Sequence, residues 1–425
     1  MRFLTVALYH PRVMKGGAQQ VAKDLHDTAT NDVGVDAVLL AGIDSRAFPA
    51  YNKVGSAITM LPDSPGEFLL LGSRFDDFYH TIYDARRNKA LRRFLEDVRP
   101  DVIHVHHSLM IGLEFLHLAR QVLPDGRIIY TLHEYLPICL ANGQLYRRNE
   151  AAICTDTSPD QCVRCFPDRS VDEFVLRRRG FRRAFALVDH FIAPSEYLRE
   201  QFIGWGLQAD RISTIANGHR SCRPKDWKPT HSPGVATYGF FGQYVDAKGI
   251  DVLLEAAVMA GRKIGTPIEI KVHGGNKQFA SEPFLKRIES IMAEAPQNVR
   301  ITETGGYARE NVFELMSAID WMVMPSVWPE TFGLVISEAW DARRPILGSR
   351  AGGISSRLVD GVNGLTFAPG AAGQLASLIE QTAGNTKLWN KLSAGVRDEI
   401  TMEDAWLQHR AVIDRLGRSV ADAPA

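Results

Sequence analysis

The chain has 425 residues, more than one hydrophobic core usually supports, so two or three domains are expected. Lys plus Arg and Asp plus Glu number 49 each, and the resulting zero formal charge removes the electrostatic footprint of a general nucleic-acid binder. With 45% hydrophobic and 23% charged residues the composition excludes a disordered, collagenous or coiled-coil chain, and no run approaches the roughly 20 apolar residues of a bilayer span.

In chain order, MRFLTVALYH lacks the small-residue cleavage site of a signal peptide, so residues 3–8 read as a first strand. Short β-branched or apolar runs recur at 35–40, 102–105, 127–131, 190–193 and 212–216, each flanked by helical stretches, as in a parallel sheet buried on both faces. Residues 217–234 carry prolines, glycines and basic residues without periodicity and read as a linker. The alternation restarts at 236–241, 268–272, 299–302, 321–324, 346–348 and 365–367. The sequence thus predicts an α/β protein. An N-terminal domain covers 1–220, with an insertion over about 137–183, and a second domain covers 235–400. Ala405, Trp406, Val412, Ile413 and Leu416 mark an amphipathic helix within 401–418, which needs a surface to pack on, the first domain being one candidate. Ligands of such domains sit at the carboxyl ends of the strands, where the loops converge.

Five loops there carry the chemistry. Lys15-Gly16-Gly17-Ala18 lies between a strand and a helix, where backbone N–H groups meet a phosphate at the positive helix end, unless the glycines serve only a turn. The third glycine and the ribose-binding acid of a dinucleotide fold are missing. Gly239 to Ile250 runs from a strand through Gln243 to Lys248-Gly249 and a helix start, where a lysine suits a pyrophosphate. Met324 to Ala339 (MPSVWPETFGLVISEA) places Glu330 in a Pro- and Gly-punctuated loop, with Glu338 about two turns into the following helix, both suited to sugar hydroxyls. Ser349-Arg350-Ala351-Gly352-Gly353 and Asp360-Gly361-Val362-Asn363-Gly364 add further glycine loops. His133 follows a strand end, and His104 and His106 alternate onto one side of theirs with His107 on the other.

This series resembles the retaining glycosyltransferases of family 4, with the GT-B fold of two Rossmann-like domains facing each other across a cleft. The segments GGA, PDVIHVH, TLHEY and APSEYLRE extend the resemblance over most of the chain. It implies that Glu330 meets the donor sugar, Glu338 the nucleotide ribose and Lys248 the diphosphate, and that His133 faces the transferred sugar. Gly16, Gly17, Gln243, Thr331, Phe332, Gly333 and Leu334 complete the implied nucleotide-sugar site. The chain departs from the family pattern at Gln243, where an arginine is usual, at Ser356, where a glutamate is usual, and at Arg343-Arg344-Pro345, where the pattern reads G-x-P. The resemblance further implies a nucleotide-sugar donor, a glycan or lipid-linked acceptor and a role in cell-surface polysaccharide synthesis. No catalytic cofactor is expected, since no D-x-D pair stands at a strand end to hold a divalent metal, and no nucleic-acid partner is expected either. No opposing nucleophilic carboxylate is evident, which favours departure and attack on one face of the sugar. A sugar-nucleotide epimerase of the same architecture and a non-catalytic nucleotide-sugar-binding protein are the competing readings.

Four of the five cysteines, Cys139, Cys154, Cys162 and Cys165, fall in one window, and C-x-x-C has zinc-knuckle spacing. They read equally as a structural zinc site stapling an irregular insertion, or as reduced thiols in a loop. Residues 164–183 then hold seven arginines against three acids, with aromatics interleaved. That stretch suits an anionic membrane surface contacted through Arg177 to Arg183, or else a solvated helix face. The expected location is cytoplasmic, peripheral on the inner membrane face in the first case.

Overall fold

The structure, a computed structural model, describes residues 1–51, 56–72, 74–147, 149–232 and 234–421. The chain divides into two compact units: Met1–Gly143, Thr155–Gly218 and the segment from Ile400 form the first, and Gln144–Cys154 with His219–Glu399 form the second.

The chain enters the first unit through β1 (Arg2–Leu8), α1 (Gly17–Thr30), β2 (Asp36–Asp44), β3 (Ile58–Met60), β4 (Glu67–Gly72), α2 (Ala85–Val98), β5 (Val102–Val105), α3 (Glu114–Val122) and β6 (Arg127–Thr131). A short hairpin follows, β7 (Tyr146–Arg147) and β8 (Ala152–Ile153), which belongs to the second unit. The first unit resumes with α4 (Pro159–Cys165), α5 (Val171–Phe185), β9 (His190–Ala193), α6 (Glu196–Trp205) and β10 (Ile212–Thr214). Its eight strands lie in the order β10-β9-β6-β5-β1-β2-β4-β3, with β3 antiparallel to β4 and the other pairings parallel. Phe3, Leu4, Val6 and Ala7 of β1 are all buried, as expected of a strand with helices on both faces of its sheet.

The second unit runs β11 (Ala236–Gln243), α7 (Ile250–Gly261), β12 (Ile268–Gly275), α8 (Glu282–Ala293), β13 (Val299–Glu303), α9 (Val312–Ser317), β14 (Trp321–Met324), α10 (Leu334–Asp341), β15 (Ile346–Ser349), α11 (Gly353–Arg357), β16 (Gly364–Phe367), α12 (Ala372–Thr382) and α13 (Thr386–Ala394). Its parallel sheet has the order β13-β12-β11-β14-β15-β16. The order reverses between β11 and β14, and between β1 and β5 in the first unit, so each unit has one switch point where the loops diverge and leave a crevice. Finally α14 (Met402–Ala421) returns to the first unit, where Trp406, Val412 and Ile413 bury against Phe3, Val102 and Ile129. Trp406 Nε1 donates to Asp32 at 2.9 Å, satisfying the polar end of an otherwise buried ring.

Three local features differ from the sequence expectation. Phe68 to Leu71, a short apolar run unassigned above, lies within β4, where its residues pair with β2 on one side and β3 on the other. The insertion is not irregular throughout: β7, β8 and α4 are ordered there, each too short to show a period. Glu338 lies only one turn into α10, because residues 331–333 precede the helix and Gly333 caps it in the left-handed region.

Candidate functional site

In the second unit the site grows from the switch point. After β11 the chain makes a single 3₁₀ turn, Asp246–Lys248, and enters α7 through Gly249. Gly249 has φ 68°, and a Cβ there would stand 2.1 Å from the Pro325 carbonyl oxygen, so only glycine lets this loop lie against the one after β14. That close approach brings Lys248 to Glu330. Glu330 Oε1 accepts from Lys248 Nζ at 2.7 Å, from Ser326 Oγ at 2.7 Å and from Trp328 Nε1 at 3.1 Å. The Lys248 ammonium also stands 5.4 Å from the centre of the Trp328 ring. The Lys248 side chain is 28% exposed and that of Glu330 only 6%, so the cation is the member open to solvent, and the carboxylate fixes it from behind. Gly352 (φ 60°) clamps the other side, where a Cβ would meet the Glu330 carbonyl at 2.4 Å, and that carbonyl accepts from the Gly353 N–H at 2.5 Å.

Arg357, at the end of α11, holds the segment from Phe332 to Ser337. Its guanidinium donates to the carbonyl of Gly333 at 2.8 Å and to Ser337 Oγ at 2.7 Å, pairs with Glu399 at 2.7 Å and lies 4.0 Å over the Phe332 ring. The N-terminus of α10, the positive end of its dipole, is thereby fixed beside Thr331. Burial raises the Glu338 carboxyl above the ordinary range, while His219 and Arg309 draw it back. Gln243 is exposed at the end of β11 and Ser356 is exposed on α11. Arg343 occupies the left-handed region (φ 51°), a conformation natural to the glycine of G-x-P. Its guanidinium is held by the Val396 carbonyl at 2.6 Å and by Asp398 at 2.8 Å. Arg344 is fully buried, donating to the carbonyls of Thr230 and Ser317.

In the first unit, Gly16 caps α1 in an extended conformation that any residue adopts, and Gly17 is the first helical residue. The parallel strands β5 and β6 present a two-rung ladder: His104 Nε2 to Thr131 Oγ1 at 2.7 Å, and one step towards the carboxyl ends His106 Nδ1 to His133 Nε2 at 2.9 Å. His104 and His106 are 4.1 Å apart by ring centre, and His409 of α14 is 5.4 Å from His104. Burial, reinforced by the neighbouring imidazoles, pushes His104 and His106 well below the ordinary histidine value. It takes His133 down to about 3 and His409 to about 4. These imidazoles are neutral at pH 7. Burial also lifts the Glu134 carboxyl to about 7 and takes His107, 3.8 Å away, down to about 4.

Of the residues singled out from sequence, Lys248 and Glu330 are in direct contact, Thr331 to Leu334 form the connection into α10, and Glu338 lies on that helix. Gly16, Gly17 and His133 belong to the first unit. Cys139, Cys162 and Cys165 lie in the first unit and Cys154 in the second. The arginine stretch is corrected in part. Arg177 is buried and donates to the carbonyls of Pro137 (2.9 Å) and Leu136, while Arg178 and Arg182 both donate to the Trp205 carbonyl. Those three guanidiniums therefore serve backbone carbonyls of their own unit, which need donors, although Arg182 itself is exposed. Ser326, Trp328 and Arg357 were not singled out from sequence. The first two lie within the quoted motif, but nothing local marks an arginine 24 residues on as the brace of Gly333.

The family described as "Glycosyl transferases group 1" matches residues 224–398, and "Glycosyltransferase Family 4" matches residues 15–220. D-inositol 3-phosphate glycosyltransferase of Nocardia farcinica is 25% identical over 277 residues, 62% of this chain and 54% of that protein. GDP-mannose-dependent alpha-mannosyltransferase of Corynebacterium glutamicum is 24% identical over 280 residues, 64% of this chain and 56% of its own. The match thus spans little more than half the length of these curated relatives. Among solved structures, sucrose-phosphate synthase of Thermosynechococcus elongatus superposes with a TM-score of 0.70 at 16% identity, covering 99% of this chain and 100% of that one. Anabaena HepE in complex with UDP gives 0.64 at 16% identity, covering 98% and 100%. Two parallel-sheet units, two adjoining family matches and the Lys248–Glu330 constellation agree: the chain belongs to the family 4 glycosyltransferases of the GT-B fold.

Proposed function

We propose that the protein transfers a sugar from a nucleotide-diphosphate sugar to a glycan or lipid-linked acceptor with retention of anomeric configuration, in cell-surface polysaccharide synthesis. The observation that carries the reading is the Lys248–Glu330 contact at the switch point of the second sheet, beside the N-terminus of α10. In this reading Lys248 and the first N–H groups of α10 stabilise the diphosphate as negative charge develops on it. Glu330, held by Ser326 and Trp328, accepts from hydroxyls of the transferred sugar, and Glu338 accepts from the ribose. Gly16 and Gly17 add N–H donors, and His133 faces the sugar. The structures with UDP among the neighbours support a nucleotide donor, and UDP- and GDP-sugars are the first to try. The test is nucleotide release from a donor panel with and without acceptors, followed by NMR of the product anomer. Release with an inverted product overturns retention; binding without release overturns transfer.

Two subsidiary readings belong here. A structural zinc on Cys139, Cys162 and Cys165 of the first unit is supported by the C-x-x-C pair, whose members face one side of α4, and by Cys139 and Cys162 both neighbouring the Arg177 guanidinium. Metal analysis of the purified protein giving no zinc removes this. No helix among the described residues is long and apolar enough to cross a membrane. A peripheral contact with an anionic membrane surface through the outward arginines Arg179 and Arg183 of α5 is the other reading.

A further inference from the structure

The second rung of the histidine ladder carries more than packing. The His106 and His133 rings are 15° from coplanar, with centres 5.2 Å apart and facing nitrogens 2.9 Å apart. The centre separation exceeds the nitrogen separation by about two ring radii, so the imidazoles meet edge to edge through one in-plane N–H···N bond and are not stacked face to face. A neutral pair joined this way has one donor and one acceptor, and which is which fixes both tautomers. His106 Nε2 is buried and makes no hydrogen bond among the described residues. A proton there would be a buried donor without an acceptor, which folded proteins avoid more strictly than an unmatched lone pair. The proton of His106 therefore belongs on Nδ1, donated to His133 Nε2.

We infer that His106 is a positioning residue: by donating from Nδ1 to His133 Nε2 it locks His133 as the Nδ1–H tautomer and aims that N–H outward as a hydrogen-bond donor. His133 Nδ1 makes no hydrogen bond among the described residues, and it is absent from the buried unpaired atoms although Nε2 is engaged, so it is the nitrogen left to meet a ligand. The first rung supports the second: His104, fixed on Thr131, packs at 4.1 Å against His106 and restrains its ring. On the transferase reading above, on which the catalytic consequence rests, the acceptor of the His133 Nδ1–H bond is an oxygen of the transferred sugar.

The test has two arms. In long-range proton–nitrogen NMR of histidine-labelled protein, without substrate, wild-type His133 is expected to show a protonated Nδ1 and a bare Nε2, and His106→Phe to shift the proton to Nε2. A wild-type Nε2–H tautomer, or an unchanged tautomer in His106→Phe, overturns the inference whether or not the protein is a transferase. In the kinetic arm, His106→Phe and His106→Gln are expected to lower kcat roughly tenfold or more with the donor KM changed less than about threefold. His106→Asn, whose amide nitrogen replaces Nδ1, is expected to rescue kcat to within about threefold of wild type. Equal losses in the Asn and Gln variants overturn the positioning role. A wild type that turns over no nucleotide sugar overturns the transferase reading alone, and the NMR arm then still decides the tautomer. If His106→Phe does not fold, the wild-type spectrum and the Asn–Gln contrast decide.

Discussion

Lys248 Nζ and Glu330 Oε1 lie 2.7 Å apart although 82 residues separate them in the chain, and each stands at the end of one of the two strands that flank the switch point. The pairing is a device for aiming a cation. Glu330, with two further donors, is almost fully inside, and the half-buried ammonium projects over Trp328 towards the loop mouth.

Lys248→Met is therefore expected to lower kcat/KM for the nucleotide sugar by about 10²–10³, the usual cost of removing one preorganised charge from a developing anion. Glu330, only 6% exposed, loses its cation but keeps the Ser326 and Trp328 donors, so the melting temperature should also fall, by several degrees. Steady-state kinetics with calorimetry on the same sample checks both; a large stability loss with intact kcat would make the pair structural.

Arg357 behaves differently. Arg357 and Glu399 are 9% and 13% exposed, so Arg357→Met leaves a largely buried carboxylate alone and frees Gly333. A loss of about 3–5 kcal/mol in urea unfolding is expected. Arg357→Lys should recover little, because one ammonium cannot reach Gly333, Ser337 and Glu399 in their present planar arrangement.

Acid should weaken the first unit. His133 and His409 fall from an ordinary 6.5 to about 3 and about 4, so the unfolded chain binds the extra protons. Their stabilisation is complete above pH 6.5 and is lost as pH falls from there towards 4, at up to about 1.4 kcal/mol per pH unit for each such histidine. Glu134, raised from 4.5 to about 7, has the opposite sign: its contribution is present below pH 4.5 and lost as pH rises through 7. Urea midpoints at pH 7 and pH 5 should therefore fall on acidification, and less steeply in His409→Leu.

The outward arginines of α5 are separable from the structural ones. Arg179 and Arg183 are exposed, so Arg179→Glu/Arg183→Glu should abolish co-sedimentation with vesicles containing anionic lipid while leaving the melting temperature within a few degrees. Arg177→Ala should instead destabilise the fold, because the Leu136 and Pro137 carbonyls lose their donor. Equal vesicle binding by wild type and the double variant removes the membrane contact.

The sequence by itself determined the succession of strands and helices, a linker beginning at residue 217 and the loops that carry Lys248, Glu330 and His133. These are local properties: buried strands must be apolar, and loops that approach each other backbone to backbone must hold glycine, as at Gly249 and Gly352. His104 with His106 and Thr131 with His133 are also legible as two period-2 pairs. What the sequence left open was their register, which lays two adjacent strands side by side as a ladder that ends on the His106–His133 contact. Only the tertiary structure decided which arginines are outside. Arg177 and Arg179 stand two residues apart with the same chemistry, and the helix turns one towards the carbonyls of Leu136 and Pro137 and the other towards water. The same holds for Arg357 and Glu399, since a buried charge is set by partners that long-range packing brings within 3 Å, and no local pattern encodes them.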